Sequence, residues 1–246
     1  MAVRLLITVA TLFAAGALLL TAVHLRRRPT PGEIRADWIK YAVFAGITGV
    51  ICLIACVGRL PLAGVLAIIA VIGARELSLH LNIKPSRHTV VMLGSTLLIG
   101  ACLGHLLISR AALWPQPFLF VFLLVAVADA YSQLWGRLLG RHKLCPRLSP
   151  NKTVEGLLGG VLSATVAAGL LAFLMPGQEV HILAALGAIV ALAAVAGDLT
   201  FSFIKRRLNI KDFSELLPGH GGLLDRFDSL VVAAPVFYWT SMIMLK

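Results

Sequence analysis

The stretch Val180–Arg207, VHILAALGAIVALAAVAGDLTFSFIKRR, decides what kind of protein this is. From Val180 to Ile204 it carries a single carboxylate, Asp198, in an otherwise apolar run, and it stops at Lys205-Arg206-Arg207. A bilayer core of roughly 30 Å needs about 20 apolar residues as helix, so this run can cross one. Seven further runs read the same way: Leu5–Val23, Tyr41–Val57, Leu62–Leu79, Thr89–Ile108, Phe118–Trp135, Gly156–Met175 and Leu230–Leu245. The chain is expected to be an all-α, polytopic integral membrane protein with about eight transmembrane helices. Residues 1–116 would hold about four N-terminal helices with a polar linker at 26–40. Residues 117–246 would form a catalytic region with two long loops, 136–155 and 205–229.

Composition agrees. The 246 residues are 59% hydrophobic and 13% charged, and the mean hydropathy is +0.92. A soluble domain carries about 25% charged residues, so too little polar surface remains to face water all round. The net charge of +11 would suggest nucleic acid in a soluble protein. Position argues against that, because the basic residues sit in short loops between apolar runs. With the N-terminus outside, 18 of the 22 basic residues fall on the inner side, and only Arg4, Arg59, Arg110 and Lys246 fall outside. Both long loops then face the cytoplasm, where nucleotides are. The first run lacks a small-residue cleavage site and meets Arg26-Arg27-Arg28 at once, so it reads as a retained anchor. Cys52 and Cys56 lie one helical turn apart in an apolar run, Cys102 sits in another, and Cys145 lies in a loop. No disulfide framework or zinc spacing follows.

With only eleven acidic residues, their positions are informative. Glu76, Asp129 and Asp198 interrupt or end apolar runs. Each ionisable group at membrane depth costs roughly 2.5–3.5 kcal/mol on insertion scales, which makes each a functional candidate. Glu76, beside Arg75, reads equally well as an acid at the interface. On a helix Ser202 lies one turn after Asp198, and Lys205 lies close to the same face, so acid, hydroxyl and ammonium form one polar stripe. The stripe runs on into a loop containing Lys211, a Gly-His-Gly-Gly turn at 219–222, and Asp225-Arg226 and Asp228. Glycines permit close backbone approach, basic side chains hold phosphates, and paired carboxylates offer the hard oxygen donors that Mg²⁺ takes. A plain charged loop would rarely combine all of these.

The pattern Ser202-x-Ile204-Lys205-Arg206-x4-Lys211-Asp212-x-Ser214-x2-Leu217-Pro218-x-His220-Gly221-Gly222-x2-Asp225-Arg226-x-Asp228 resembles the signature of the CDP-diacylglycerol synthase (phosphatidate cytidylyltransferase) family. A second block agrees with that family's middle loop. It comprises Asp129, Gly136, Arg137, Gly140 and Lys143, followed by Ser149-Pro150-Asn151-Lys152-Thr153-Val154-Glu155-Gly156. The resemblance covers about the C-terminal half. Ser132 and Gln133 stand where the family commonly has Ala-Tyr, and Asn151 stands for its usual Gly. These departures point to a divergent branch and bear on the lipid acceptor, since they leave the acids and cations intact.

The resemblance implies transfer of CMP from CTP to phosphatidate, giving CDP-diacylglycerol and pyrophosphate, in a bacterial inner membrane. It implies Asp198, Asp225 and Asp228 at a Mg²⁺ ion, with Asp198 and Asp225 meeting there, and leaves open a second, monovalent cation. Lys205, Arg206, Lys211 and Arg226 would hold phosphates. Lys143, Ser149, Lys152 and Thr153 would close the site, with Asp129, Ser202, His220, Gly221 and Gly222 lining it. A homodimer is also implied. Alternatives are CTP-dependent transfer to another lipid or polyprenol phosphate, and a non-enzymatic anionic-lipid transporter or scaffold. His80, His88, His105 and His181 are scattered and receive no role. Gly136 and Gly140 read either as helix contacts or as a nucleotide approach, whereas Gly156, Gly159 and Gly160 read as packing positions.

Overall fold

The computed structural model describes residues 2–81, 85–108, 114–214, 216 and 221–245. Among the described residues there are eight α-helices: α1 (Ala2–Arg27), α2 (Pro31–Val57), α3 (Arg59–His80), α4 (Pro85–Ile108), α5 (Gln116–Leu139), α6 (Val154–Leu170), α7 (Val180–Arg207) and α8 (Leu224–Met244). Seven are long and apolar enough to cross a membrane. The exception is α6, whose 17 residues rise about 25 Å; a 3-10 turn at Ala172–Leu174 follows it. The chain is a multi-pass, mostly all-α membrane protein.

Three boundaries differ from expectation, each for a local reason. Most of the polar linker at 26–40 is helical. α1 runs to Arg27 and α2 starts at Pro31, because Thr30-Pro31-Gly32-Glu33 is a complete helix start. The Thr30 N–H donates to the Glu33 carboxylate at 2.8 Å, the Glu33 N–H returns to the Thr30 hydroxyl at 3.4 Å, and Pro31 occupies the first turn. At the other end, α8 begins at Leu224 rather than Leu230, which puts Asp225, Arg226 and Asp228 on its first turns. The loop 136–155 also contains a two-stranded antiparallel hairpin, β1 (Lys143–Cys145) and β2 (Ser149–Thr153), with a register shift between Lys143 and Cys145.

α5 is the axis of the molecule. Its first turns, Phe118 to Val125, are buried on every side, as expected of a helix that is apolar all round and surrounded by protein. Lipid tails are as apolar as leucine, so helices in a bilayer associate through close fit and not through hydrophobic burial. Small residues supply that fit. A Cβ on Gly160 would lie 2.9 Å from the Ala128 carbonyl of α5, one on Gly187 of α7 would lie 2.8 Å from the Ala168 side chain of α6, and one on Gly197 would lie 2.9 Å from the Asp228 carbonyl of α8. These contacts bring α5, α6, α7 and α8 within backbone distance. Gly136 and Gly140 also pack closely, since a Cβ on either would sit 2.9 or 2.7 Å from the Thr153 hydroxyl, and both line the cavity described below.

Candidate active site

Gly197 packs directly against Asp228 and Ser229, so α7 and α8 present their polar groups to one another at the same level. Ser202 lies one turn after Asp198 and donates its hydroxyl proton to the Asp198 carboxylate at 3.2 Å, the contact that the helical spacing predicts. The other Asp198 oxygen meets the ammonium of Lys152, carried on β2. The hairpin is thereby tied to α7 through the two sequence blocks that carry the family resemblance.

Asp225 is buried and fully bonded. One oxygen takes the Lys205 ammonium at 2.6 Å, and the other accepts the N–H groups of Phe213 and Gly222, both at 2.9 Å. Lys205 is also 3.9 Å from Asp228 and sits over the Phe213 ring. An isolated buried lysine would be costly, and the two acids offset that cost. Asp228 accepts the Ser229 N–H at 2.7 Å, while the Ser229 hydroxyl reaches Asp129 on α5 at 3.1 Å. Asp129, Asp198 and Asp228 are close enough to repel one another electrostatically. Ser229, buried between α5 and α8, joins two of these acids. Nothing in its sequence position signalled that role.

These groups face one cavity of about 1440 Å³. Asp129, Lys143, Ser149, Lys152, Thr153 and Asp198 line it, as do Lys205, Lys211, Gly221, Asp225, Arg226 and Asp228. Three candidates stand elsewhere. Arg206 is exposed and braces two loops, donating to the carbonyls of Leu148 at 3.3 Å and Ile210 at 2.9 Å. Ser202 bonds Asp198 and does not itself line the cavity. Gly222 has no room for a side chain, since a Cβ there would lie 2.8 Å from the Glu76 carboxylate. Gly221 has φ +79 and faces the cavity, a conformation that favours glycine. His220 lies outside the described residues. Thr153 spends its hydroxyl on capping α6 through the Gly156 N–H at 3.1 Å.

Glu76 has a structural partner that sequence alone did not supply. Buried on α3, it accepts the Ser214 hydroxyl at 2.5 Å and the N–H groups of Leu223 and Leu224 at 2.9 and 2.8 Å. A carboxylate at the start of α8 also matches the positive end of the helix dipole. His80, one turn further along α3, pairs with the Phe213 carbonyl at 2.7 Å. α3 thus holds the segment after α7 at Phe213–Ser214 and again at Leu223–Leu224.

The donor set suits a hard cation. Among the described residues no group of three His, Cys, Asp or Glu side chains converges as a ready-made metal cage. Mg²⁺ typically takes one or two protein carboxylates and completes its shell with water and substrate phosphate oxygens. One Asp228 oxygen has the Lys205 ammonium at 3.9 Å, whereas Asp198 would have to give up Lys152 to a metal. Asp225 would have to exchange its lysine for the metal, and in the structure it shares no partner with Asp198.

Residues 107–244 match the cytidylyltransferase family. Over 122 residues the chain is 43% identical to the uncharacterized protein YnbB of Escherichia coli (strain K12), covering 49% of this chain and 41% of that protein. Over 119 residues it is 43% identical to a phosphatidate cytidylyltransferase of Staphylococcus aureus (strain COL), covering 48% and 46%. A phosphatidate cytidylyltransferase of Staphylococcus epidermidis (strain ATCC 12228 / FDA PCI 1200) is 41% identical over the same length. The matched part spans less than half the length of these curated relatives. With the match extending over more than half of its own length and both sequence blocks meeting at one cavity, the chain belongs to the cytidylyltransferase family.

Proposed function

We propose that this protein transfers CMP from CTP to a lipid phosphate, with phosphatidate the leading acceptor, yielding CDP-diacylglycerol and pyrophosphate. The observation that carries the reading is the convergence of Lys152, Asp198, Lys205, Arg226 and Asp228, drawn from two distant sequence blocks, on one cavity. The attacking atom is an anionic phosphate oxygen of the lipid, so no strong base is needed. It forms a bond to the α-phosphorus of CTP while the bond to the bridging oxygen breaks, and pyrophosphate carries away the electron pair. The obstacle is the approach of two polyanions. Catalysis is therefore positioning plus neutralisation of charge.

Lys143, Lys152, Lys211 and Arg226 supply positive charge for the phosphates, and Ser149 lies among them. Lys205, held between Asp225 and Asp228, keeps the acids in place. Mg²⁺, bound through Asp198 with Asp228 or Asp225, would neutralise charge on the phosphate oxygens. The 18-to-4 division of basic residues supports cytoplasmic loops in a bacterial inner membrane. By family likeness the working unit is a homodimer.

Purified full-length protein, given labelled CTP and a panel of lipid phosphates, is expected to place the label in a CDP-lipid and release pyrophosphate in a Mg²⁺-dependent way. Failure to label any lipid phosphate by a folded protein overturns the reading. Label transferred only to polyprenol phosphate moves the acceptor but keeps the chemistry.

A further inference from the structure

The cavity has a second arm to which the family's sequence blocks contribute only Arg137. Between α1, α2 and α5 it is lined by Arg27, Asp37, Lys40 and Arg137 at the level of the helix ends. Deeper in, Phe44 and Thr48 of α2 and Phe122 and Ala126 of α5 continue the wall. Both helices change character in the same direction. On α2 the positions 37, 40, 44 and 48 recur at helical spacing and run from charged to uncharged. On α5 the positions 137, 133, 130, 126 and 122 do the same. Eight residues from Lys40 to Thr48 correspond to about 12 Å of depth.

The charged end is organised around Arg137. Asp37 accepts the Arg137 guanidinium at 2.6 Å and pairs with His24 at 2.9 Å, while the Arg27 Nε donates to the Arg137 carbonyl at 2.7 Å. Arg137 thus pairs with the carboxylate, Arg27 braces Arg137 through its backbone, and Lys40 lines the same wall. Basic residues at helix ends commonly snorkel to lipid headgroups outside the protein. Here they line the same internal cavity as Asp129 and Lys152. A wall that is cationic at one end and apolar at the other, beside the acid cluster, is complementary to one kind of molecule: a phosphate on an acyl chain.

We propose that Arg27, Lys40 and Arg137 form the subsite for the phosphate of the lipid acceptor, with its chain along the Phe44–Thr48 face of α2 and the Phe122–Ala126 face of α5. Arg27, Lys40, Phe44 and Thr48 lie outside the residues that match the family, so α1 and α2 supply one wall of this arm and the family-matched α5 supplies the other. The assignment rests on the cytidylyl-transfer reading for its purpose, but not for its geometry.

Two measurements on the full chain test it. In the first, Lys40→Gln is expected to raise KM for phosphatidate by about tenfold or more, the loss of one charge-assisted hydrogen bond, with KM for CTP unchanged. In the second, Phe44→Cys in a background without the four native cysteines is labelled by a maleimide. Dioctanoyl phosphatidate should slow labelling, whereas dioctanoyl phosphatidylcholine, CTP and inorganic phosphate should not. Protection by CTP or inorganic phosphate equal to that by phosphatidate, or a rise in KM for CTP instead, overturns the assignment, as does an unchanged lipid KM with no protection. If the parent chain makes no CDP-lipid yet phosphatidate protects position 44, the subsite stands and the transfer reaction falls.

Discussion

The two halves of this molecule meet the bilayer differently. In the most apolar stretches of α1, α2 and α4 only 17% of residues are buried in protein, against 67% in α5 and 50% in α7 and α8. α1, α2 and α4 therefore show most of their surface to lipid, whereas α5, α7 and α8 show it to protein and α3, at 44%, stands with the second group. The family match covers α5 to α8 and barely touches the helices before them. Residues facing lipid need only be apolar, so many sequences serve. Residues at a glycine-to-carbonyl contact, or paired with a buried charge, have few substitutes. Yet the N-terminal half is not passive, since α3 lends Glu76 and His80 to the loop after α7, and α2 lends Asp37 and Lys40 to the cavity wall.

Substituting the acids tests the inner half most severely. Asp198→Asn and Asp225→Asn are each expected to cut CTP turnover by about two orders of magnitude or more, in line with the loss of a charge at a phosphoryl-transfer site. The structure separates them by a second readout. Asp225 carries Lys205 and two backbone N–H groups, so its loss should lower thermal stability markedly, because an unpaired buried ammonium remains. Asp198 is partly open, and Asp198→Asn should melt close to the parent. If the two residues share one metal, the double variant should be little worse than either single one. Near-parental turnover in either single variant at saturating Mg²⁺ would remove these carboxylates from the site.

A smaller effect is expected where the N-terminal half touches the inner one. Glu76→Gln keeps the shape but loses the charge that accepts two N–H groups at the start of α8. Turnover should fall by roughly tenfold, the worth of one charge-assisted hydrogen bond, with protease cleavage in the 208–223 loop accelerated. Leu77, the next residue on α3, gives the comparison: Leu77→Val should leave both quantities alone. If Glu76→Gln behaves like Leu77→Val, α3 has no part in ordering the site.

Thr30→Ala should do least. It removes the capping box of α2 and costs about 1 kcal/mol of helix stability, without changing turnover. A loss of activity beyond what the lower melting temperature explains would show that the α1–α2 corner reaches the reaction centre through Asp37 and Lys40.

Much of this architecture was legible one segment at a time. Val180–Arg207 announced a spanning helix with an acid and a lysine on one stripe, and the Asp198–Ser202 contact at 3.2 Å follows from helical spacing alone. The eight apolar runs correspond to the eight helices. The Thr30-to-Glu33 helix start was present in the sequence as well, hidden behind the polar character of residues 26–40. The hairpin was less visible, because its strands are three and five residues long and carry no alternating apolar pattern.

By itself, then, the sequence determined the membrane class, the helix runs, and which residue types a phosphate-handling site would draw on. These properties are local: run length, spacing along a helix, and the order of a motif. Only the tertiary structure decided who meets whom. Lys205 pairs with Asp225, Lys152 with Asp198, Ser229 with Asp129, Glu76 with the start of α8, and Asp37 with Arg137. The physical reason lies in the solvent. A helix in a bilayer is apolar on faces that meet lipid and on faces that meet protein alike, so periodicity does not say which neighbour a face will find. That choice is made by the close approach of small residues such as Gly160 and Gly197. The charges then pair across the junctions that the glycines create.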